Sequence, residues 1–144
     1  MRSISVTDTF DVSPAAVWKV LADFPNISTW NGGVSASHAT STASDGVGAT
    51  RHCDLAPVGA LEETVLEWEP ERKMVVSIDE ARKLPIRTAV ATFTIEPVGD
   101  GATVTIDYAY EPRPRLLAPL LDRQLTKGFN GFLADLGKAA AQPE

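Results

Sequence analysis

The feature that most constrains the fold is a long stretch of alternating hydrophobicity, followed by a single long amphipathic segment. Between residues 34 and 110, apolar and polar side chains alternate with a period of two, which is typical of half-buried β-strands. Short turn signals divide the stretch, and the clearest is Pro-Val-Gly-Asp-Gly at 97–101. Strands joined by short turns pair antiparallel, so the pattern predicts a meander. The predicted strands are 34–42, 49–55, 61–68, 74–80, 86–96 and 102–110.

The two ends of the chain supply one more strand and the helices. Residues 3–12 alternate in the same way and predict a first strand. Ser13 and Pro14 then form an N-cap followed by proline at the first helical position, and the apolar residues after them keep helical spacing. Residues 26–30 predict a second short helix. Residues 115–140 repeat leucine and phenylalanine near i, i+3, i+4 and i+8, which predicts one long amphipathic helix.

These elements fit together in one way. A sheet must bury one face, and the final helix is the only large element left to cover it. We therefore expect an α+β fold in which a curved antiparallel sheet of roughly seven strands wraps around the C-terminal helix, with two short helices after the first strand. Such a sheet encloses space against the helix. Because the chain has 144 residues and no repeat or long linker, we predict a single domain over residues 1–144.

Composition and charge narrow the classes of function. Thirteen basic and nineteen acidic residues give a net charge of −6, which repels phosphate backbones and anionic lipids, so we expect no binding to nucleic acid or to a membrane surface. No stretch is apolar enough to span a bilayer, so we expect no membrane insertion. One cysteine and two histidines cannot build a Cys/His metal framework, and the common nucleotide and hydrolase motifs are missing, so we predict no metal and no cofactor. The single cysteine and the lack of an apolar leader favour the cytoplasm.

Several segments, taken with the order of the elements, carry a resemblance to a known superfamily. They are DVSPAAVW (11–18), PNISTWN (25–31), GATR (48–51), ETVLEWEPER (63–72), FTIEP (93–97) and YAYEP (108–112). Together they resemble the helix-grip fold of the START-like (SRPBCC) superfamily, which includes polyketide cyclase/dehydrase-like and lipid-transport proteins. The resemblance implies a cavity between sheet and C-terminal helix that holds a hydrophobic small molecule: a lipid, a polyketide or an aromatic metabolite.

Strand parity selects the side chains that we expect to face this cavity. In 86–96 the inward residues include Arg87 and Phe93, and in 49–55 Arg51 lies on the apolar face. Leu66 is also expected to point inward. The predicted ligand-binding residues are Trp30, Arg51, Trp68, Met74, Ile78, Arg87, Phe93, Tyr108, Phe129 and Phe132.

The polar members of this set are the candidates for chemistry. Arg51 or Arg87 can bind a ligand carboxylate, can polarise a carbonyl, or can simply pair with a glutamate such as Glu62 or Glu63. Tyr108 can donate a hydrogen bond to a ligand oxygen or can be plain core. The sequence alone does not decide between a ligand contact and a structural role for any of these residues.

Three functions remain open. The first is a binding protein for a hydrophobic small molecule. The second is a polyketide aromatase/cyclase-type enzyme, in which Arg51, Arg87 or Tyr108 moves protons. The third is a protein-interaction module, which an uncovered apolar stripe on the final helix at Leu116, Leu120 and Leu133 would favour. In each case we expect a monomer or a homodimer.

Overall fold

The computed structural model describes residues 1–142. The elements follow the predicted order, with a short 3₁₀ turn added before the final helix. They are β1 (Arg2–Phe10), α1 (Pro14–Ala22), a 3₁₀ segment (Phe24–Thr29), β2 (Val34–Ala39), β3 (Thr50–Leu55), β4 (Ala60–Glu69), β5 (Lys73–Arg82), β6 (Ile86–Val98), β7 (Gly101–Pro112), a 3₁₀ turn (Arg115–Leu117) and α2 (Ala118–Ala141).

The strands form one open antiparallel sheet in the order β1-β7-β6-β5-β4-β3-β2. Strands β2 to β7 follow one another as a meander, and β1 pairs with β7, where Val6 lies opposite Ile106. The predicted α+β fold, with seven antiparallel strands and a long C-terminal helix, is confirmed. Strand β2 is shorter than predicted and ends at Ala39. A loop containing Gly46 and Gly48, both at positive φ, leads from it into β3.

The first helix begins where the sequence predicts. The Ser13 hydroxyl accepts a hydrogen bond from the Ala16 N–H at 3.2 Å, and Pro14 lies in the first turn. This cap satisfies one of the N–H groups that have no partner within the helix. The buried residues of α1 are Val17, Trp18 and Leu21. Helix α1 packs against α2 and against strands β6 and β7 of the sheet.

Helix α2 covers the inner face of the sheet and is fixed near both ends. Toward its C-terminus, Gly137 lies so close to β1 that a Cβ atom built on it would be 2.7 Å from Cε1 of Phe10. Toward its N-terminus, the carboxylate of Asp122 accepts hydrogen bonds from the Tyr110 hydroxyl on β7 and from the Arg2 guanidinium on β1. Between these two attachments, the Phe129 and Phe132 rings of the helix contact the Tyr108 and Phe93 rings of the sheet.

Two irregularities in the sheet reverse the predicted orientation of two side chains. One extra residue in β4 between Val65 and Glu67 leaves Val65 buried and Leu66 46% exposed. A similar shift in β6 between Ile86 and Ala89 buries both of those residues and exposes Arg87. The predictions that Leu66 and Arg87 face inward are therefore wrong, because a bulge changes which face the neighbouring residues occupy.

Candidate ligand-binding cavity

A cavity of about 270 Å³ lies between the inner face of the sheet and α2. Its wall is mostly apolar, with a small number of polar groups. The apolar residues are Ile27, Val34, Leu55, Leu61, Ile78, Leu84, Ile86, Ala91, Phe93, Leu125, Phe129 and Phe132. The polar residues are Asn31, Arg51, Cys53, Glu63, Tyr108 and Gln124, and Gly33 and Gly128 complete the lining.

Aromatic rings form much of the wall between β6, β7 and α2. The Phe129 ring lies 4.7 Å from that of Tyr108, and the Phe132 ring lies 5.5 Å from that of Phe93, measured between centroids. These rings come from two strands and one helix, so the cavity owes its shape to the contact between sheet and helix. Each of these rings presents a large apolar area to the cavity.

The cavity opens at one end of the sheet. Gly33, Gln124 and Gly128 line it and are also exposed to solvent. They lie at the end of the sheet where β3 passes into β4 and β5 passes into β6, and Leu84 from the second of these turns lines the cavity too. A Cβ atom built on Gly128 would have no atom within 4 Å, so the missing side chain leaves this opening clear.

The polar wall is centred on a buried ion pair. Arg51 and Glu63 lie opposite each other in the β3–β4 ladder, and Arg51 Nε donates to Glu63 Oε1 at 2.9 Å. The two side chains are 8% and 9% exposed. Arg51 also donates from Nη1 to the carbonyl of Phe24 at 2.8 Å, and its guanidinium carbon lies 3.8 Å from the centroid of the Phe24 ring. The guanidinium is therefore held in place from both sides.

Two further groups on this wall are neutral hydrogen-bond donors. Burial, with a smaller effect from the charge of Glu63, raises the pKa of the Cys53 thiol to about 12, and its Sγ donates to Glu63 Oε1 at 3.3 Å. Burial, again with Glu63 adding to the effect, raises the pKa of the Tyr108 hydroxyl above its ordinary value. Within residues 1–142 no group hydrogen-bonds the Tyr108 hydroxyl, so its O–H is available to a molecule in the cavity.

The structure brings together only part of the predicted site. The predicted residues that line the cavity are Arg51, Ile78, Phe93, Tyr108, Phe129 and Phe132. Trp68 instead packs edge-on against Trp18, with the two ring centroids 5.1 Å apart. Met74 is buried in the core. Trp30 packs edge-on against Phe132, with the two ring centroids 5.0 Å apart. Phe132 lines the cavity, and Trp30 lies behind it. Arg87 is exposed on the outside of the sheet and does not line the cavity.

Sequence reasoning missed Glu63 as a cavity residue. A signal for it was present, because Leu61, Glu63 and Val65 share one face of β4 when counted forward from the start of the strand. That count puts Glu63 on the same face as the apolar residues and opposite Arg51. Counting backward from Trp68 gave the other face, and the bulge between Val65 and Glu67 is the reason that the two counts disagree.

The two histidines lie on the outer face of the sheet, away from the cavity. His52 Nδ1 is 2.7 Å from Glu62 Oε2, and its Nε2 is 2.8 Å from Asp54 Oδ1. Hydrogen bonding to Asp54 and then to Glu62 raises the pKa of His52. Although these groups lie together, no cluster of three or more His, Cys, Asp or Glu side chains within residues 1–142 is arranged to hold a metal ion.

Comparison with known proteins places the chain in a family. The family model described as "Polyketide cyclase / dehydrase and lipid transport" matches residues 1–141. The chain belongs to this family. No curated protein matches this sequence. The match agrees with the superfamily resemblance drawn from the sequence, and the structure shows the fold that this resemblance implies.

Solved structures share the fold of this polyketide cyclase/dehydrase and lipid transport family member at low sequence identity. A START superfamily protein from Mycobacterium smegmatis matches with a TM-score of 0.84 at 13% identity, covering 96% of each chain. An uncharacterised protein from Bacillus thuringiensis matches with a TM-score of 0.83 at 14% identity, covering 98% of this chain and 100% of that one. A protein from Thermus thermophilus matches with a TM-score of 0.82 at 16% identity, over 96% and 97%.

Two further observations concern the helices of this family member. Across residues 1–142, no helix combines the length and the apolar composition needed to cross a membrane. On the helix stripe singled out from the sequence, Leu133 is buried in the core, whereas Leu116 and Leu120 are exposed. The exposed leucines are confined to the start of α2 and the turn before it, so the stripe is not uncovered along its length.

Proposed function

We propose that this protein binds a hydrophobic small molecule in the cavity between its sheet and α2. The observation that carries the proposal is the composition of the wall, which joins twelve apolar residues to a buried polar group at Arg51 and Glu63. Small-molecule sites have this general form, with mostly apolar walls and a few polar groups that fix orientation. Membership of a family whose description includes lipid transport and polyketide cyclisation supports the same proposal.

The volume of the cavity limits the size of the molecule. The cavity has a volume of about 270 Å³. That space accepts a compact molecule of one or two rings more readily than a long acyl chain. The sequence left a lipid, a polyketide and an aromatic metabolite as possible ligands. Among these we therefore propose a small aromatic or cyclic metabolite.

Binding is favoured over proton-transfer catalysis by the state of the candidate catalytic groups. Burial raises the pKa of the Tyr108 hydroxyl above its ordinary value, so this hydroxyl keeps its proton near neutral pH, and a guanidinium such as that of Arg51 has hydrogen-bond donors and no acceptor. General acid–base catalysis works best with groups whose pKa lies near the working pH. These groups are better suited to donate hydrogen bonds to a bound molecule than to exchange protons with it.

The proposal is tested by equilibrium dialysis with ethylnaphthalene, a two-ring hydrocarbon without polar groups. Gly128→Leu places a side chain at the cavity opening and is expected to weaken binding at least tenfold. Gly131→Leu is the matched control, because Gly131 lies on the same helix, is equally open and does not line the cavity. Failure of the wild-type protein to bind the hydrocarbon, or equal binding by both variants, would overturn the proposal.

A further inference from the structure

The wall of the cavity carries no net charge, although it contains an arginine. The charge of Arg51 is balanced by Glu63 at 2.9 Å. The other polar residues of the lining carry no charge, and they are Asn31, Cys53, Tyr108 and Gln124. A guanidinium without such a partner would attract a carboxylate and could bind it through two parallel hydrogen bonds. Here that position is already taken by a carboxylate of the protein itself.

A ligand carboxylate in this cavity would gain little from Arg51. Its desolvation in a largely apolar space is costly unless a matching positive charge is available. The nearest positive charge is already paired, and the negative charge of Glu63 would lie close to the entering anion. Two carboxylates that share one site repel each other strongly in such surroundings.

An uncharged oxygen meets better conditions at the same wall. Of the five N–H groups on the Arg51 guanidinium, two are used by Glu63 and Phe24, and the Tyr108 O–H has no partner within the described part of the chain. A ligand carbonyl can accept from these donors without bringing a charge into the cavity. A ligand hydroxyl can in addition donate to Glu63 Oε2, which accepts no hydrogen bond within residues 1–142.

We propose that Glu63 selects the ligand by charge, so that the cavity takes compact uncharged molecules bearing a carbonyl or hydroxyl oxygen and excludes carboxylates. This inference rests on the proposed function, because it concerns the same cavity. It assigns different roles to the two members of the ion pair. Arg51 supplies hydrogen-bond donors to the ligand, and Glu63 prevents that positive charge from capturing an anion.

Three ligands on one naphthalene scaffold separate this inference from the proposed function. Ethylnaphthalene, methyl naphthyl ketone and naphthoate have nearly the same shape and differ in the polar group, and naphthoate is ionised at neutral pH. We expect the wild-type protein to bind the ketone most tightly, the hydrocarbon next and naphthoate at least tenfold more weakly than the ketone. If no compound binds, the proposed function fails. If the hydrocarbon binds and naphthoate equals or exceeds the ketone, only the charge selection fails.

Two substitutions locate the selection in the named residues. Glu63→Gln removes the negative charge and keeps the shape, so it is expected to strengthen naphthoate binding at least tenfold while changing ketone binding less than threefold. Glu62→Gln is the matched control, because Glu62 directly precedes Glu63 on β4 and lies on the outer face, where it contacts His52. An equal effect of both substitutions on naphthoate binding would contradict the inference.

If Glu63→Gln does not fold, the comparison of naphthoate and ketone on the wild-type protein still tests the charge selection, and a second variant tests the contact with the ligand oxygen. Tyr108→Phe removes only the hydroxyl and leaves the ring that packs against Phe129. It is expected to weaken ketone binding about threefold to tenfold, as for the loss of one hydrogen bond, and to leave ethylnaphthalene binding unchanged. Unchanged ketone binding with the ketone still preferred over the hydrocarbon would assign the carbonyl to Arg51, as the inference allows. Unchanged ketone binding together with no preference of the wild-type protein for the ketone over the hydrocarbon would show that the carbonyl does not lie at this wall and would overturn the inference.

Discussion

Arg51 on β3 and Glu63 on β4 lie opposite each other in the sheet and form a buried ion pair, with Nε and Oε1 2.9 Å apart. The antiparallel register brings the two residues together, and the cavity beside them keeps both out of bulk water. Because each charge is desolvated, each depends on the other far more than it would at the surface. The pair therefore affects both the stability of the fold and the character of the cavity.

Breaking the pair is expected to be more harmful than removing it. Arg51→Met leaves the carboxylate of Glu63 buried without its cation, so the free energy of unfolding should fall by about 3–5 kcal/mol. The double variant Arg51→Met, Glu63→Met removes both charges and should recover most of that loss. Urea unfolding of the wild-type protein, both single variants and the double variant measures the effect. The expectation would be contradicted if the free energy of unfolding of the double variant fell by as much as the falls in the two single variants added together.

The close approach of α2 to β1 predicts opposite effects for alanine at two glycines of one helix. A Cβ on Gly137 would overlap the Phe10 ring, whereas a Cβ on Gly131 meets nothing within 4 Å. Gly131→Ala should raise the melting temperature, because alanine favours a helix over glycine by about 1 kcal/mol. Gly137→Ala should lower it, because overpacking typically costs about 1–3 kcal/mol. Equal gains from the two substitutions in a thermal unfolding experiment would show that the helix does not approach β1 as described.

The contacts of His52 predict a pH dependence of stability near neutrality. Hydrogen bonding to Asp54 and to Glu62 raises the pKa of His52 in the folded protein above its unfolded value near 6.5. The charged form is therefore favoured by folding. Its contribution is fully present below the unfolded pKa and is lost as the pH rises through the folded pKa. Stability should accordingly fall as the pH is raised from mildly acidic to mildly alkaline.

This dependence can be isolated because the chain has only two histidines. In a His38→Gln background, His52 is the remaining histidine, and urea midpoints are measured across the neutral range with and without His52→Gln. The added substitution should flatten the dependence. If the urea midpoints vary with pH to the same extent in both proteins, His52 is not the group responsible.

Hydrophobic periodicity was sufficient to predict the architecture, because each strand of a half-buried sheet must alternate and only one segment can cover the sheet. Parity also placed Arg51, Phe93 and Tyr108 on the inner face, where the structure has them. It could not say how far along the face each residue lies. Met74 shares that face but is packed into the core, away from the lining of the cavity.

The remaining errors arise from features that are set by packing rather than by local sequence. The bulge that exposes Arg87 lies at the start of β6, between its first residue, Ile86, and Ala89, where counting parity back from the regular part of the strand no longer holds. The sequence did not decide whether Glu62 or Glu63 pairs with Arg51, because the bulge in β4 changes which of the two faces inward. Both questions are settled only when the strands are in register with their neighbours.

The central claim is that a compact uncharged molecule binds beneath α2 with its oxygen at the Arg51–Tyr108 wall. The most direct test is a crystal structure of the protein grown with methyl naphthyl ketone. We predict the naphthyl rings against Phe93 and Phe129, and the carbonyl oxygen within hydrogen-bond distance of the Tyr108 hydroxyl or the Arg51 guanidinium. A cavity closed by side chains, or a ketone bound only elsewhere on the protein, would contradict the claim.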